Sequence, residues 1–300
     1  MVLCCSAVSA VEQAKRLAAV QAVSEHFSTN FKYVGIGSGS TVKYVVEAIA
    51  ASLAKAFPAA STRPSDTRST SATSAYDIQF VPTGYQSRQS ILDCGLTPLL
   101  FDHLPNDVIL DVAFDGADEV DDDLNCIKGG GACLFQEKLV IEKAKKFVCV
   151  ADYRKAQSRL LTVWPSIPIE VAPIASHIVL MALENLGSVK PAVRAGVPAK
   201  SGPLRTDQAF YIIDAPFPTL LLRSDIQGPD DGNGKNGRWE VSRLSEAIKN
   251  ITGVLEVGIF SGYDGYETEK LGLGKGGQKP VAVYFGMQDG TVTIRMSKNR

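Results

Sequence analysis

The chain has 300 residues, of which 45% are hydrophobic and 21% are charged, and its formal net charge is −1 at pH 7. A chain of this length can bury one large core or two smaller ones, and its composition is that of an ordinary globular protein. The charge gives no basic surface of the kind that binds nucleic acid or an anionic membrane, and no apolar run approaches the roughly 20 residues that span a bilayer.

The cysteines and the start of the chain favour a cytoplasmic protein. None of the six cysteines is spaced as C-x-x-C, and a chain of this length does not need disulfides to stabilise its core. The opening stretch "MVLCCSAVSAVEQAK" has no basic segment before its short apolar run, so we expect no signal peptide. We therefore expect reduced thiols in a cytoplasmic setting.

The first half of the chain alternates helical and strand patterns. Apolar residues recur at helical spacing in "VEQAKRLAAVQAVSEHF", "TVKYVVEAIAASLAKAF", "YQSRQSILDCG" and "ACLFQEKLVIEKAKK". Apolar runs typical of buried strands are "KYVGIG", "IQFVPT", "TPLLFD", "VILDVAFDG" and "FVCVAD". This alternation predicts an α/β fold with a Rossmann-like, mainly parallel sheet. Ligands bind beyond the carboxyl ends of such strands, so the loops "GSGST", "DGADE" and "ADYRK" are expected to meet at one crevice.

One stretch of the first half is expected to lie outside the packed structure. Residues 58–75, "PAASTRPSDTRSTSATSA", are rich in Ser, Thr and Ala. Such a segment cannot bury enough apolar surface to become ordered, and we predict a flexible surface insertion there.

The pattern changes after Trp164. "IPIEVAP", "QAFYIIDAPF" and "VLEVGIF" predict strands, and "IASHIVLMALENLG" and "VSRLSEAIKNITG" predict helices. This order favours a second, smaller ferredoxin-like α+β domain with β-α-β-β-α-β connectivity. We place it at residues 164–257 and the α/β catalytic domain at residues 1–163 and 258–300.

Two features of the second half concern loops and the C-terminal tail. Residues 227–238, "QGPDDGNGKNGR", are polar and rich in glycine, which predicts a loop. The tail "KPVAVYFGMQDGTVTIRM" has two alternating runs around Asp289-Gly290, which predicts a hairpin. We expect this hairpin to return to the first domain.

The glycine-rich stretch "GIGSGST", residues 35–41, is a candidate phosphate site. Its glycines let the backbone approach a ligand, the following helix would direct its first amides at an anion, and its hydroxyls add donors. Ser40 stands where G-x-G-x-x-G needs its third glycine, and no G-K-[ST] follows, so neither a dinucleotide nor a P-loop site is indicated. A small phosphate ester fits the stretch, and a merely tight strand-to-helix turn remains the alternative.

The acidic stretch "DVAFDGADEVDDDLNCIKGGGACLFQEK", residues 111–138, allows a cation site, a solvated acidic loop or a catalytic cluster. Its spacing does not follow the EF-hand pattern, and three scattered histidines give poor support for a His-rich metal site, so we expect no metal. The aspartates at 121–123 are most simply a solvated loop. Asp115 and Asp118 instead follow an apolar strand directly and could face the hydroxyls of a sugar.

A lysine and a glutamate complete the possible catalytic cluster. Lys128 stands before three glycines and a helix, where a cation and helix-start amides could hold charge developing on an oxygen. Glu137, about two turns into that helix, could be a base, although an ordinary surface position is the alternative.

Three motifs in this order, "GIGSGST", "FDGADEVDDDLNCIKGGGACLFQEK" and "VADYRK", resemble the A-type ribose-5-phosphate isomerase family. The resemblance extends over almost the whole chain. It assigns catalytic roles to Glu137, Asp115, Lys128 and Asp118. It assigns substrate binding to Ser38, Gly39, Ser40, Thr41, Asp115, Gly116, Ala117, Asp118, Lys128, Gly129, Gly130, Gly131 and Lys155.

The resemblance implies an enzyme that interconverts D-ribose 5-phosphate and D-ribulose 5-phosphate in the non-oxidative pentose phosphate pathway. Asp115 would open the sugar ring, Glu137 would move a proton between C2 and C1, and Lys128 would stabilise the enediolate. The expected partner is a sugar phosphate, with no nucleic acid, membrane, metal or organic cofactor, and we expect a homodimer or homotetramer. A non-catalytic sugar-phosphate sensor is the main rival, and a CoA-transferase-like or nucleotide-binding enzyme is a second.

Departures from compact family members occur at residues 58–75, 227–238 and 271–279, and none interrupts a matched motif. Lys15 would match a phosphate-contacting lysine only through an alignment across a variable stretch.

Overall fold

The computed structural model describes residues 9–58, 77–196 and 201–298, which contain seven α-helices and thirteen strands. The helices are α1 (Ala10–His26), α2 (Val42–Ala56), α3 (Tyr85–Asp93), α4 (Leu134–Glu142), α5 (Ser176–Asn185), α6 (Val241–Lys249) and α7 (Gly265–Lys270). The strands are β1 (Tyr33–Ile36), β2 (Gln79–Pro82), β3 (Val112–Asp115), β4 (Glu119–Val120), β5 (Cys126–Ile127), β6 (Phe147–Asp152), β7 (Ile167–Val171), β8 (Ala192–Val193), β9 (Tyr211–Ala215), β10 (Val254–Val257), β11 (Ile259–Phe260), β12 (Ala282–Gly286) and β13 (Val292–Met296). None of these helices is long and apolar enough to cross a membrane.

The larger sheet has the order β13-β12-β6-β3-β1-β2. All neighbouring pairs are parallel except β12 and β13, which form an antiparallel hairpin. Helices α1 and α2 pack on one face of this sheet and α4 packs on the other. The Rossmann-like α/β prediction is confirmed, and the carboxyl ends of β1, β3 and β6 lie side by side.

Close packing fixes α1 beside this edge of the sheet. Its buried face is formed largely by alanines, which let the helix approach β12. At Gly286 a Cβ atom would lie 1.8 Å from the carbonyl oxygen of Ala14, so only glycine permits this approach. As a consequence, Lys15 on α1 is held next to the loop after β1.

The smaller antiparallel sheet has the order β10-β7-β9-β8, and α5 and α6 pack against it. The chain order β-α-β-β-α-β agrees with the predicted ferredoxin-like module. A third sheet, β11-β5-β4, lies between the two cores, because Ile127 packs in the core of the smaller sheet and Cys126 packs in that of the larger one.

The predicted domain boundaries stay a prediction. Strands β7–β10 fall within residues 164–257, and the C-terminal hairpin pairs with β6 of the larger sheet, as expected. The 227–238 segment is a loop with one short 3-10 turn, Lys235–Gly237. Most of the predicted insertion at 58–75 lies outside the described residues, and its flexibility therefore stays a prediction.

Two predicted elements differ from the structure. The strand expected in "TPLLFD" is only an isolated bridge between Pro98 and Phe80, followed by a 3-10 turn at Phe101–His103. The bridge uses the N–H groups of Phe80 and Leu99, and the next donor on β2 would be Pro82, which has no N–H group to continue the ladder. The helix expected over "ACLFQEKLVIEKAKK" begins at Leu134, because Ala132 has a φ of +59° and cannot be part of a right-handed helix.

Candidate active site

A cavity of about 200 Å³ opens at the carboxyl ends of β1, β3 and β6. Its wall is formed by Lys15, Ser38, Gly39, Ser40, Thr41, Gly116, Ala117, Asp118, Lys128, Gly129, Gly130, Gly131, Glu137, Ala151, Asp152, Arg154 and Lys155. The structure thus brings together the predicted site residues of three separate segments. Asp115 is the one predicted residue outside this wall, and it lies directly behind Lys128 with 1% of its surface exposed.

A buried lysine between two carboxylates forms the floor of the cavity. The Nζ of Lys128 lies 2.9 Å from Oδ2 of Asp115 and 3.1 Å from Oε2 of Glu137. It also donates to the carbonyl oxygen of Gly116 at 2.7 Å. Among the described residues neither carboxylate oxygen has another hydrogen-bond partner. Two potential negative charges therefore share one positive charge away from water.

Local backbone geometry explains how the three side chains converge. Asp115 ends β3, and Gly37, the residue directly after β1, leaves room for it, since a Cβ at Gly37 would lie 1.9 Å from Oδ1 of Asp115. The backbone N–H of Lys128 donates to the carbonyl of Gly258 at 2.9 Å, which fixes the backbone of the lysine directly after β5. Glu137 is the fourth residue of α4, so the expectation of two turns into the helix is wrong.

Burial and mutual repulsion set the protonation of these groups. Burial, followed by the charge of Asp115, raises the pKa of Glu137 to about 8, although Lys128 opposes this change. Burial also raises the pKa of Asp115 against the effect of Lys128. For Lys128 burial disfavours the ammonium, yet the two carboxylates outweigh it and raise the pKa of the lysine. A carboxyl with a pKa near 8 suits a general base at neutral pH.

The glycine turn after Lys128 forms one side of the cavity and is held from two directions. Gly129 has a φ of +106°, a conformation that favours glycine. The N–H of Gly130 donates to Oδ2 of Asp118 at 2.7 Å. Arg194, which follows β8 of the smaller sheet, donates from Nη1 to the carbonyls of Gly129 and Gly130 at 2.9 and 3.1 Å.

The loop after β1 forms the opposite side and presents hydroxyls and backbone at the start of α2. Gly39 has a φ of +109°, and Thr41 precedes the first residue of the helix. The Nζ of Lys15 donates to Oγ of Ser40 at 2.9 Å, so this lysine does reach the loop despite the variable stretch between them. Such a combination of a cation, hydroxyls and a helix N-terminus is suited to an anion.

The loop after β6 supplies further cations. Lys155 places its Nζ 4.9 Å from the centre of the Trp164 ring, and Arg154 forms an ion pair with Asp152 at 2.6 Å. Sequence reasoning missed Arg154, although it stands beside Lys155 in "ADYRK". It also missed Arg194, for which no local motif gives a signal because it reaches the glycine turn from another sheet.

The expectation that the aspartates at 121–123 are solvated is wrong for Asp121. Its side chain is fully buried and accepts hydrogen bonds from the backbone of Asp123 and from the backbone and side chain of Asn125. Burial raises its pKa to about 7. Asp122 and Asp123 instead form ion pairs with Arg295 and Lys298 on the C-terminal hairpin and beyond it. The acidic turn therefore forms hydrogen bonds within itself and ion pairs with β13 and with Lys298 beyond it, away from the cavity.

Known proteins share this sequence and architecture. The family model of ribose 5-phosphate isomerase A (phosphoriboisomerase A) matches residues 79–267. The ribose-5-phosphate isomerase of Mycosarcoma maydis is 43% identical over 291 residues, which cover 97% of this chain and 83% of that protein. The ribose-5-phosphate isomerase of Schizosaccharomyces pombe is 41% identical over 289 residues, with coverages of 96% and 85%.

Solved structures agree with these relatives. A D-ribose-5-phosphate isomerase in complex with phospho-erythronic acid superposes with a TM-score of 0.72 at 29% identity, covering 95% of this chain and 99% of that one. Ribose 5-phosphate isomerase A from Methanocaldococcus jannaschii gives a TM-score of 0.68 at 26% identity, with the same coverages. The motifs, the fold and the relatives lead to one conclusion: the chain belongs to the ribose 5-phosphate isomerase A family.

Proposed function

We propose that the chain interconverts D-ribose 5-phosphate and D-ribulose 5-phosphate through an enediolate, with Glu137 as the base. The observation that carries this proposal is the buried contact of Lys128 with both Asp115 and Glu137 at the floor of the cavity. A purely sugar-phosphate-binding protein needs no carboxyl of raised pKa beside a buried ammonium, so the sensor alternative is not favoured.

The proton transfer follows from the positions of these groups. With the sugar in its open form, Glu137 takes the proton from C2, and the C–H electrons form the C1–C2 double bond while negative charge moves to O1. Glu137 then returns its proton to C1, and a proton passes from O2 to O1, so that O2 becomes the carbonyl oxygen at C2 and O1 becomes a hydroxyl. We assign ring opening and proton exchange at the sugar oxygens to Asp115, and contact with the sugar hydroxyls to Asp118.

Lys128 supplies the electrostatic part of the mechanism. Before proton transfer its single charge is shared by two carboxyls, and transfer of the C2 proton to Glu137 neutralises one of them. The ammonium then faces Asp115 and the new negative charge on the substrate oxygen. A preorganised donor of this kind is typically worth about 3–4 kcal/mol of transition-state stabilisation.

We assign the substrate phosphate to the side of the cavity formed by residues 38–41 and Lys15, and a further contact with the substrate to Lys155. The solved relative that holds phospho-erythronic acid supports binding of a sugar phosphate in this family. The roles of Gly116, Ala117 and the glycine turn at 129–131 are to contact the sugar with their backbone.

The proposed reaction can be tested by following solvent hydrogen. Purified protein is incubated with ribose 5-phosphate in D₂O, with and without a chelator, and the sugar phosphates are followed by NMR. We expect ribulose 5-phosphate to form at the same rate in both samples, and repeated turnover to replace the hydrogen at C2 by deuterium. Product that retains all its hydrogen at equilibrium would indicate a hydride shift, and absence of product would overturn the proposed function.

The acidity of the base predicts a pH dependence. We expect kcat/KM to fall about tenfold per pH unit below an apparent pKa near 8, because only ionised Glu137 can take the proton. The apparent pKa belongs to the coupled carboxyls of Asp115 and Glu137 together. Initial rates between pH 6.5 and 9.5 measure this limb above the titration of the substrate phosphate, which has a pKa of about 6. A flat profile over this range would contradict the assignment.

Assembly and compartment stay predictions. We infer a homodimer or a homotetramer in the cytoplasm, and light scattering on the purified protein would give the number of chains.

A further inference from the structure

Arg194 is the one side chain of the smaller sheet that we find bonded to the glycine turn among the described residues. It follows β8, and its backbone N–H donates to the carbonyl of Ile212 at 2.7 Å. Its guanidinium forms a bidentate pair with Asp214, from Nε at 2.8 Å and from Nη2 at 2.6 Å. This pairing leaves Nη1 directed at the carbonyl oxygens of Gly129 and Gly130. The side chain is only 17% exposed, so the fork is held in one geometry.

The direction of these carbonyls fixes the direction of the amides that follow them. In a planar trans peptide the N–H points opposite to the C=O of the preceding residue. The peptide joining Gly129 to Gly130 obeys this rule, since its carbonyl faces Arg194 and its N–H donates to Asp118, which lines the cavity. The next peptide also has its carbonyl on Arg194. Its N–H, that of Gly131, is therefore directed away from Arg194, and Gly131 itself lines the cavity.

We propose that Arg194 is a positioning residue for the isomerisation: it holds the carbonyls of Gly129 and Gly130 so that the N–H of Gly131 faces the developing oxyanion of the enediolate. This inference rests on the proposed function. Glycines allow the turn to adopt its shape, but their flexibility also lets the peptides rotate, and a guanidinium bridging two carbonyls opposes that rotation. The smaller sheet thereby contributes to catalysis without touching the substrate.

The test compares Arg194→Ala and Arg194→Lys with Arg159→Ala as a matched control. Arg159 forms a similar bidentate pair, with Asp225 at 2.9 and 2.8 Å, but its other contact is the carbonyl of Ser158. The measurements are kcat and KM for ribose 5-phosphate, the melting temperature, and the inhibition constant of phospho-erythronic acid. The carboxylate of this probe stands for the two oxygens of the enediolate.

We expect Arg194→Ala to lower kcat by about 10- to 100-fold, part of the loss found when an oxyanion donor is removed, with KM changed less than about threefold. The inhibition constant should rise in proportion to the loss of kcat/KM, because the probe resembles the intermediate more than the substrate. Arg194→Lys should recover little of the lost kcat, since lysine lacks the planar guanidinium that binds Asp214 and two carbonyls at once. Arg159→Ala should stay within about twofold of the wild type in kcat.

Two results would overturn the inference. One is an Arg194 variant with kcat and inhibition constant within about threefold of the wild type, whatever its melting temperature. The other is an equal loss of kcat in Arg159→Ala. If Arg194→Ala does not fold, Arg194→Lys is judged by the same limits. A wild-type protein without turnover would instead overturn the proposed function, and the affinities for phospho-erythronic acid would still decide the role of Arg194.

Discussion

Glu137→Gln should lower kcat by at least about 10²-fold while ribose 5-phosphate binding stays nearly unchanged. The amide has almost the shape of the carboxyl but cannot accept the C2 proton. It also resembles the protonated form of Glu137, which burial favours. Steady-state kinetics and calorimetric binding of the substrate measure the two effects separately. A variant that keeps more than a tenth of the wild-type kcat would remove Glu137 from the role of base.

The same variant has a thermodynamic signature. The pKa of Glu137 is about 8 in the folded chain, above the roughly 4.3 of a glutamate in an unfolded chain. The folded protein therefore binds this proton more tightly, and the stabilisation present below about pH 4.3 is lost as the pH rises through about 8. Because glutamine does not ionise, the melting temperature of Glu137→Gln should exceed that of the wild type by more at pH 8.5 than at pH 6.

A matched control on the same helix separates these effects from a general response to the substitution. Glu142 lies at the end of α4 with an exposed side chain, and Glu142→Gln should leave kcat unchanged. A loss of activity equal to that of Glu137→Gln would show that the helix, rather than the carboxyl, is the sensitive feature.

Lys128→Ala should lower kcat by roughly 10²–10³-fold, with the dissociation constant of ribose 5-phosphate changed less than tenfold. The reason is that its ammonium meets a charge that appears on the substrate only after proton transfer. If Lys128→Ala is unstable, the same measurements are made on Lys128→Met, which keeps most of the side-chain volume. Lys128→Arg should retain only part of the wild-type kcat, because a planar guanidinium replaces a compact ammonium in a space walled by glycines.

Lys138 provides the control for burial itself. It is as buried as Lys128 and pairs with Glu256 at 2.8 Å, but it does not line the cavity. Burial lowers the pKa of Lys138, whereas two carboxylates raise that of Lys128. Lys138→Met should reduce the melting temperature yet keep kcat within about threefold. If Lys128→Ala instead raises KM with little change in kcat, the enediolate-stabilising role is wrong.

The loss of Lys128 should also change the remaining pH profile. Its charge holds the pKa of Glu137 below the value that burial and Asp115 would otherwise give. Without it, the acid limb of kcat/KM should move to higher pH. A limb that stays near pH 8 in Lys128→Met would show that the lysine does not interact with the base.

Local sequence was sufficient for the features that depend on short-range pattern. Apolar periodicity predicted the alternation of strands and helices, and the position of "GIGSGST", "DGADE" and "ADYRK" at strand ends predicted that these loops meet. The motif order predicted the family. The failures at this level, such as the strand in "TPLLFD", came from a proline and from a left-handed residue, Ala132, whose effects on neighbouring backbone the apolar pattern does not reveal.

Only the tertiary structure decided how the site is charged and supported. The raised pKa of Glu137 requires burial and the nearby charge of Asp115. Asp115 lies 22 positions before Glu137 in the chain, so the sequence reveals neither the burial nor the contact. The burial of Asp121 and the reach of Arg194 across 64 residues to Gly130 likewise depend on how separate elements pack. Sequence by itself determined which groups this protein has for its chemistry. Desolvation and long-range contacts, which exist only in the folded chain, decided their protonation and direction.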